Sequence, residues 1–82
     1  MARIDPQTIN KRLEKALTQA RKEAGLTQID VAKRLKKPQS FVSKYETGER
    51  KLTVGDLLAV CEALGLQEEV FNKLFAPKPH KN

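Results

Sequence analysis

The sequence predicts an all-α domain of five short helices. Three observations predict it: apolar residues recur at spacings of three and four through successive stretches, helix-start signals precede several of those stretches, and glycines stand where the runs stop. Eighty-two residues that are 39% hydrophobic and 32% charged can hold one core but not two, and they are too apolar for a fully disordered chain. One domain is expected over residues 1–75, followed by a tail over 76–82, Pro-containing and unable to continue a helix, that is expected to be disordered.

The first helix is expected over residues 6–24. Asp5 is a good N-cap, and Pro6 suits the first helical position, where its missing N–H would have had no partner. Ile9, Leu13, Ala16, Leu17, Ala20 and Ala24 form one stripe, with Lys11, Arg12, Lys15 and Lys22 largely off it. The basic face fits either the solvated side of a core helix or a membrane-surface element, and a stripe dominated by alanine without Trp or Phe is a poor lipid anchor. Gly25 ends the helix, and Leu26 can fold back over its end.

Thr27-Gln28-Ile29-Asp30 has the form of a capping box and starts the second helix. Ile29, Val31, Ala32 and Leu35 are its expected buried face, while Lys33, Arg34, Lys36 and Lys37 point outward or lie along a tight corner. Pro38 ends it, because the residue before a proline is pushed out of the helical region.

The third helix is expected over residues 39–47, entered through Pro38 and stopped at Gly48. Val42 and Tyr45 suffice to hold it to the core. Gln39, Ser40, Ser43, Lys44 and Thr47 then share the opposite band. Gln can make two hydrogen bonds to adenine, Ser pairs with several base edges, and Lys neutralises phosphate or reads guanine. The same residues would also serve as an ordinary solvated face. Two short helices around a tight corner, the second with such a face, outline a helix-turn-helix. The loop Glu49-Arg50-Lys51 stands where a contact to a nucleic-acid backbone would be useful.

Thr53-Val54-Gly55-Asp56 is a second capping box, and Val54, Leu57, Leu58, Cys61 and Leu64 continue at helical spacing to Gly65, so the fourth helix is a core helix. Cys61 lies in that stripe and reads as a small apolar core residue, the other reading being a reactive thiol. A fifth helix is expected over residues 67–75, where Val70, Phe71, Leu74 and Phe75 either close the core or form a dimer surface.

Sixteen Lys and Arg against ten Asp and Glu give a net charge of +6, which favours a polyanionic partner through counterion release without choosing among DNA, RNA and an anionic membrane. The single cysteine, Cys61, excludes an intrachain disulfide, and with the single histidine, His80, it cannot build a zinc site, so no metal or cofactor is expected. An enzyme is not expected either: His80 sits in the tail, no nucleophile has a base nearby in sequence, and Glu68 and Glu69 are adjacent on a helix and point apart. With no signal-peptide-like start and no apolar run approaching the roughly 18 residues of a membrane span, the chain is expected in the cytoplasm, away from the membrane.

The run AGLTQIDVAKRLKKPQSFVSKYETGERKL, above all Leu26-Thr27-Gln28, Val31-Ala32 and the segment from Gln39 to Arg50, resembles the lambda-repressor-like, Cro/C1-type helix-turn-helix family, also called the xenobiotic-response-element family. The resemblance covers residues 13–75. It implies a five-helix domain whose third helix reads the major groove of double-stranded DNA. It also implies that Gln28 holds a phosphate at a helix N-terminus. By the same resemblance Gln39, Ser40 and Lys44 read bases, with Ser43 a weaker candidate on the same face, and Thr47 meets a phosphate. Lys36 and Lys37 at the corner and Arg50 in the loop are further phosphate candidates. Phe41 matches a variable position where a ring touches a thymine methyl or packs over the corner. Arg21 and Glu46 match an ion pair linking the first and third helices, a scaffold role. Lys36 departs from the family, which usually has Gly at this left-handed corner position, and a side chain there is strained by roughly 1 kcal/mol.

The function these residues imply is a sequence-specific transcriptional regulator, a repressor on a palindromic operator. One recognition helix reads only a few base pairs, so a homodimer on two half-sites is expected, with Phe71 and Phe75 as its candidate surface. The alternative is an antitoxin or a coactivator-type adaptor, a protein-interaction module whose partner is a toxin or the transcription machinery.

Overall fold

The structure, a computed structural model, describes residues 5–66. Within them the chain forms four helices and no strand: α1 (Pro6–Glu23), α2 (Gln28–Leu35), α3 (Gln39–Thr47) and α4 (Val54–Ala63). The fifth helix expected over 67–75, with Phe71 and Phe75, and the tail expected over 76–82 lie outside the described residues.

Each expected start signal is made. The Asp5 carboxylate accepts from the Gln7 N–H at 3.1 Å, with Pro6 opening α1. Thr27 and Asp30 form a reciprocal capping box at α2, as do Thr53 and Asp56 at α4. Both aspartates hold their pKa below the ordinary value, chiefly through the hydrogen bond from the threonine backbone N–H.

The ends of α1, α2 and α4 share one geometry. Leu26, Lys37 and Leu66 each donate their N–H to the carbonyl five residues back, and the preceding residue donates to the carbonyl three back. The residue that turns left-handed is Gly25 in α1 and Gly65 in α4, but Lys36 in α2, at φ 58° and ψ 43°. α3 stops at Gly48, φ 88°, where an added Cβ would also come within 3.1 Å of the Glu14 carboxylate on α1.

The core is where α3 and α4 meet α1 and α2. Leu17 from α1, Val31 and Ala32 from α2, Val42 and Tyr45 from α3, and Leu57, Val60 and Cys61 from α4 are all buried. Cys61 is 1% exposed, and burial pushes its thiol pKa up, so the core reading holds over the reactive one. None of the helices in the described residues is long and apolar enough to cross a membrane.

Four packing expectations are corrected. Ile29, assigned to the buried face of α2, is 50% exposed: at about 100° per residue it stands well away from the arc of Val31, Ala32 and Leu35 that meets the core. Ile9 is 48% exposed, one turn before Leu13 at the N-terminal end of α1. Val54 is 68% exposed at the first position of α4, and Val60, left out of the expected stripe, is fully buried in its place. Ala16 and Ala24 are also exposed, and α1 ends at Glu23, one residue early, with Ala24 as its C-cap.

Candidate nucleic-acid interface

α3 carries the candidate face. Gln39, Ser40, Lys44 and Thr47 are exposed and Ser43 is half-buried, while Val42 and Tyr45 on the other side are sealed in the core. The Ser43 hydroxyl donates to the Ser40 carbonyl and that of Thr47 to the Lys44 carbonyl, both at 3.3 Å. Their oxygen lone pairs are thereby left facing solvent as acceptors.

The first residues of α2 and α3 meet across the corner. Gln39 Nε2 donates to Gln28 Oε1 at 3.1 Å, and Gln28 Nε2 donates to Glu46 Oε1 at 2.9 Å. Glu46 also accepts from Arg21 Nε at 2.7 Å and from Nη2 at 3.2 Å. Arg21 Nη1 reaches the Leu26 carbonyl at 2.9 Å and ties the end of α1 into the same knot. The two charged side chains are 11% and 5% exposed, and the hydrogen bonds to Glu46 raise the Arg21 pKa further above its ordinary value. The expected link from α1 to α3 is therefore present.

At the corner the Phe41 ring packs edge-on to Tyr45, with centroids 5.7 Å apart at 75°, and leans on the core. Lys37 Nζ lies 5.5 Å and Arg50 Cζ 4.7 Å from the centroid of the same ring. Arg50 also lies 3.7 Å from the Asp56 carboxylate, and its backbone N–H donates to the Lys44 carbonyl. Phe41 thus packs over the corner, and Arg50 is braced by it. Lys36 and Lys37 are exposed beside this assembly.

Two contacts escaped the sequence reading. The Gln28–Glu46 bond has only a weak signal in the sequence: a glutamine opens each of the two helices, Gln28 in α2 and Gln39 in α3. Arg34 is exposed as expected, but its Nη1 also donates to the Ala63 carbonyl at 2.8 Å and caps the last turn of α4. No periodicity announces that contact, because it depends on how α2 and α4 pack.

Together these features form one surface: helix N-termini, amides and hydroxyls on α3, and lysines at the corner. A family model described as helix-turn-helix matches residues 17–71. No curated protein and no solved structure matches the chain.

Proposed function

The chain belongs to the helix-turn-helix family of the Cro/C1 type, whose members are DNA-binding regulators, and on that premise we propose that it is a cytoplasmic repressor acting as a homodimer on a palindromic operator. The observation that carries this reading is the exposed band on α3, supported from behind by Gln28, Glu46 and Arg21. α3 lies in the major groove, where Gln39, Ser40 and Lys44, with Ser43 beside them, face base edges. Gln28 at the N-terminus of α2, Thr47, Lys36, Lys37 and Arg50 face phosphates. Phe71 and Phe75 hold the dimer.

Selection of bound duplexes from a random pool tests the whole reading. The expected result is two inverted half-sites with centres roughly 34 Å, one turn, apart. A Phe71→Ala, Phe75→Ala variant should sediment as a monomer at micromolar concentration. Absence of any salt-dependent duplex binding, with a partner protein co-purifying instead, would overturn the regulator in favour of an antitoxin or adaptor.

A further inference from the structure

We propose that Glu14 competes with DNA phosphate for Lys51, so that one carboxylate on α1 holds down the affinity for every duplex and leaves base preference untouched. The inference rests on α3 and the loop after it lying against DNA. Two cations stand in that loop, and each is drawn to a carboxylate from another helix. Arg50 lies 3.7 Å from Asp56 of α4, and Lys51 lies 3.7 Å from Glu14 of α1. Asp56 has a separate structural role, because its carboxylate accepts the Thr53 N–H and completes the cap of α4. Glu14 has no such role. Among the described residues its carboxylate accepts no hydrogen bond, and only its backbone carbonyl takes the Thr18 hydroxyl.

The carboxylate also stands where a neutral side chain would suit the fold better. Its oxygens come within 3.1 and 3.2 Å of the place a Cβ would take on Gly48, the residue that ends α3. That is the negative end of the helix dipole, where a carboxylate is disfavoured. The same helix end is the one at which Thr47 and Arg50 face phosphates, so the Glu14 charge repels the incoming backbone and neutralises the lysine beside it. Lys51 is 62% exposed on a flexible stem, and turning from carboxylate to phosphate needs rotation of its own side chain alone. An ion pair this exposed is weak, so phosphate can displace the carboxylate, but only part of the lysine's attraction is then left for DNA.

The test compares the full chain with Glu14→Gln, Lys51→Gln and the double variant, on the selected operator and on a random-sequence duplex, over a range of salt concentrations. Glu14→Gln should bind both duplexes about tenfold more tightly, with the ratio between them unchanged, and should steepen the slope of log affinity against log salt by about 0.9, the share of one phosphate. Its thermal midpoint should not fall. In the Lys51→Gln background, Glu14→Gln should leave that slope unchanged. Glu14→Ala, read the same way, takes the place of Glu14→Gln if the new amide disturbs the fold. A gain in affinity and slope that persists in full without Lys51 overturns the competition and assigns Glu14 to repulsion alone. Unchanged or weaker duplex binding in both Glu14 variants overturns the proposal while DNA binding by α3 stands. If the unsubstituted chain binds neither duplex, the placement of α3 on DNA is itself overturned, and the competition with it.

Discussion

The Arg34 guanidinium on α2 donates to the carbonyl of Ala63, 29 residues away at the last turn of α4, at 2.8 Å. That carbonyl belongs to the set a helix end leaves without an intrahelical partner, and a cation there also opposes the helix dipole. Arg34→Met keeps the aliphatic stem and removes the donor. It should lower the unfolding free energy by about 1 kcal/mol in urea titration. Lys33→Met, on the neighbouring exposed position, should stay within about 0.5 kcal/mol of wild type. Equal losses in both variants would show that charge on α2, and not this bond, is what matters.

Lys36 occupies the left-handed position that glycine occupies at the ends of α1 and α4. Its Cβ costs about 1 kcal/mol there, whereas glycine would lose more freedom on folding, so Lys36→Gly should gain between zero and about 1 kcal/mol. Lys36→Ala keeps the strain and should gain nothing. Both variants should reduce the slope of log affinity against log salt by roughly one phosphate contact if the lysine charge faces DNA. A reduced slope with no gain from glycine would mean that the backbone strain is negligible; an unchanged slope would remove Lys36 from the interface.

Much of this was legible in the sequence because capping and periodicity are local. Asp5, Thr27 and Thr53 each start a helix as read, and Val31, Ala32, Val42 and Tyr45 are buried as read. The band on α3 was also legible, since burying Val42 and Tyr45 forces Gln39, Ser40 and Lys44 outward. What was not legible depends on packing between helices. Ile29 was read into the stripe, but it stands off the arc of Val31, Ala32 and Leu35, and only the packing of α2 against its neighbours reveals which arc is buried. The Gln28–Glu46 bond likewise needs α2 and α3 brought to their crossing before either residue reveals it.

Both capping boxes should make the domain acid-sensitive. Asp30 and Asp56 have folded pKa values below their ordinary value of 3.8, so each contributes stability that is present above about pH 4 and is lost as pH falls through the folded value. Urea midpoints measured from about pH 6 down to about pH 3 should fall only in the lower part of that range. Asp30→Asn and Asp56→Asn should start lower and vary less with pH. A double variant with the wild-type pH profile would assign the acid sensitivity to other carboxylates.

Tyr45 is 2% exposed, and its hydroxyl has no hydrogen-bond partner among the described residues. Leaving a buried hydroxyl unpaired costs about 1–3 kcal/mol, while its ring packs against Phe41 and the core. Tyr45→Phe keeps the ring, so it should leave stability unchanged or raise it by about 1 kcal/mol. Burial pushes the phenol pKa well above its ordinary value of 10.0. The stability linked to this group is therefore complete below pH 10.0 and lost as pH rises through the folded value. Tyr45 is the chain's single tyrosine and there is no tryptophan, so phenolate absorbance reports on it alone. Ionisation should coincide with alkaline unfolding rather than precede it. A Tyr45→Phe variant that loses about 1 kcal/mol, or a phenol that ionises in the folded protein near its ordinary pKa, would show that the hydroxyl is hydrated and not sealed.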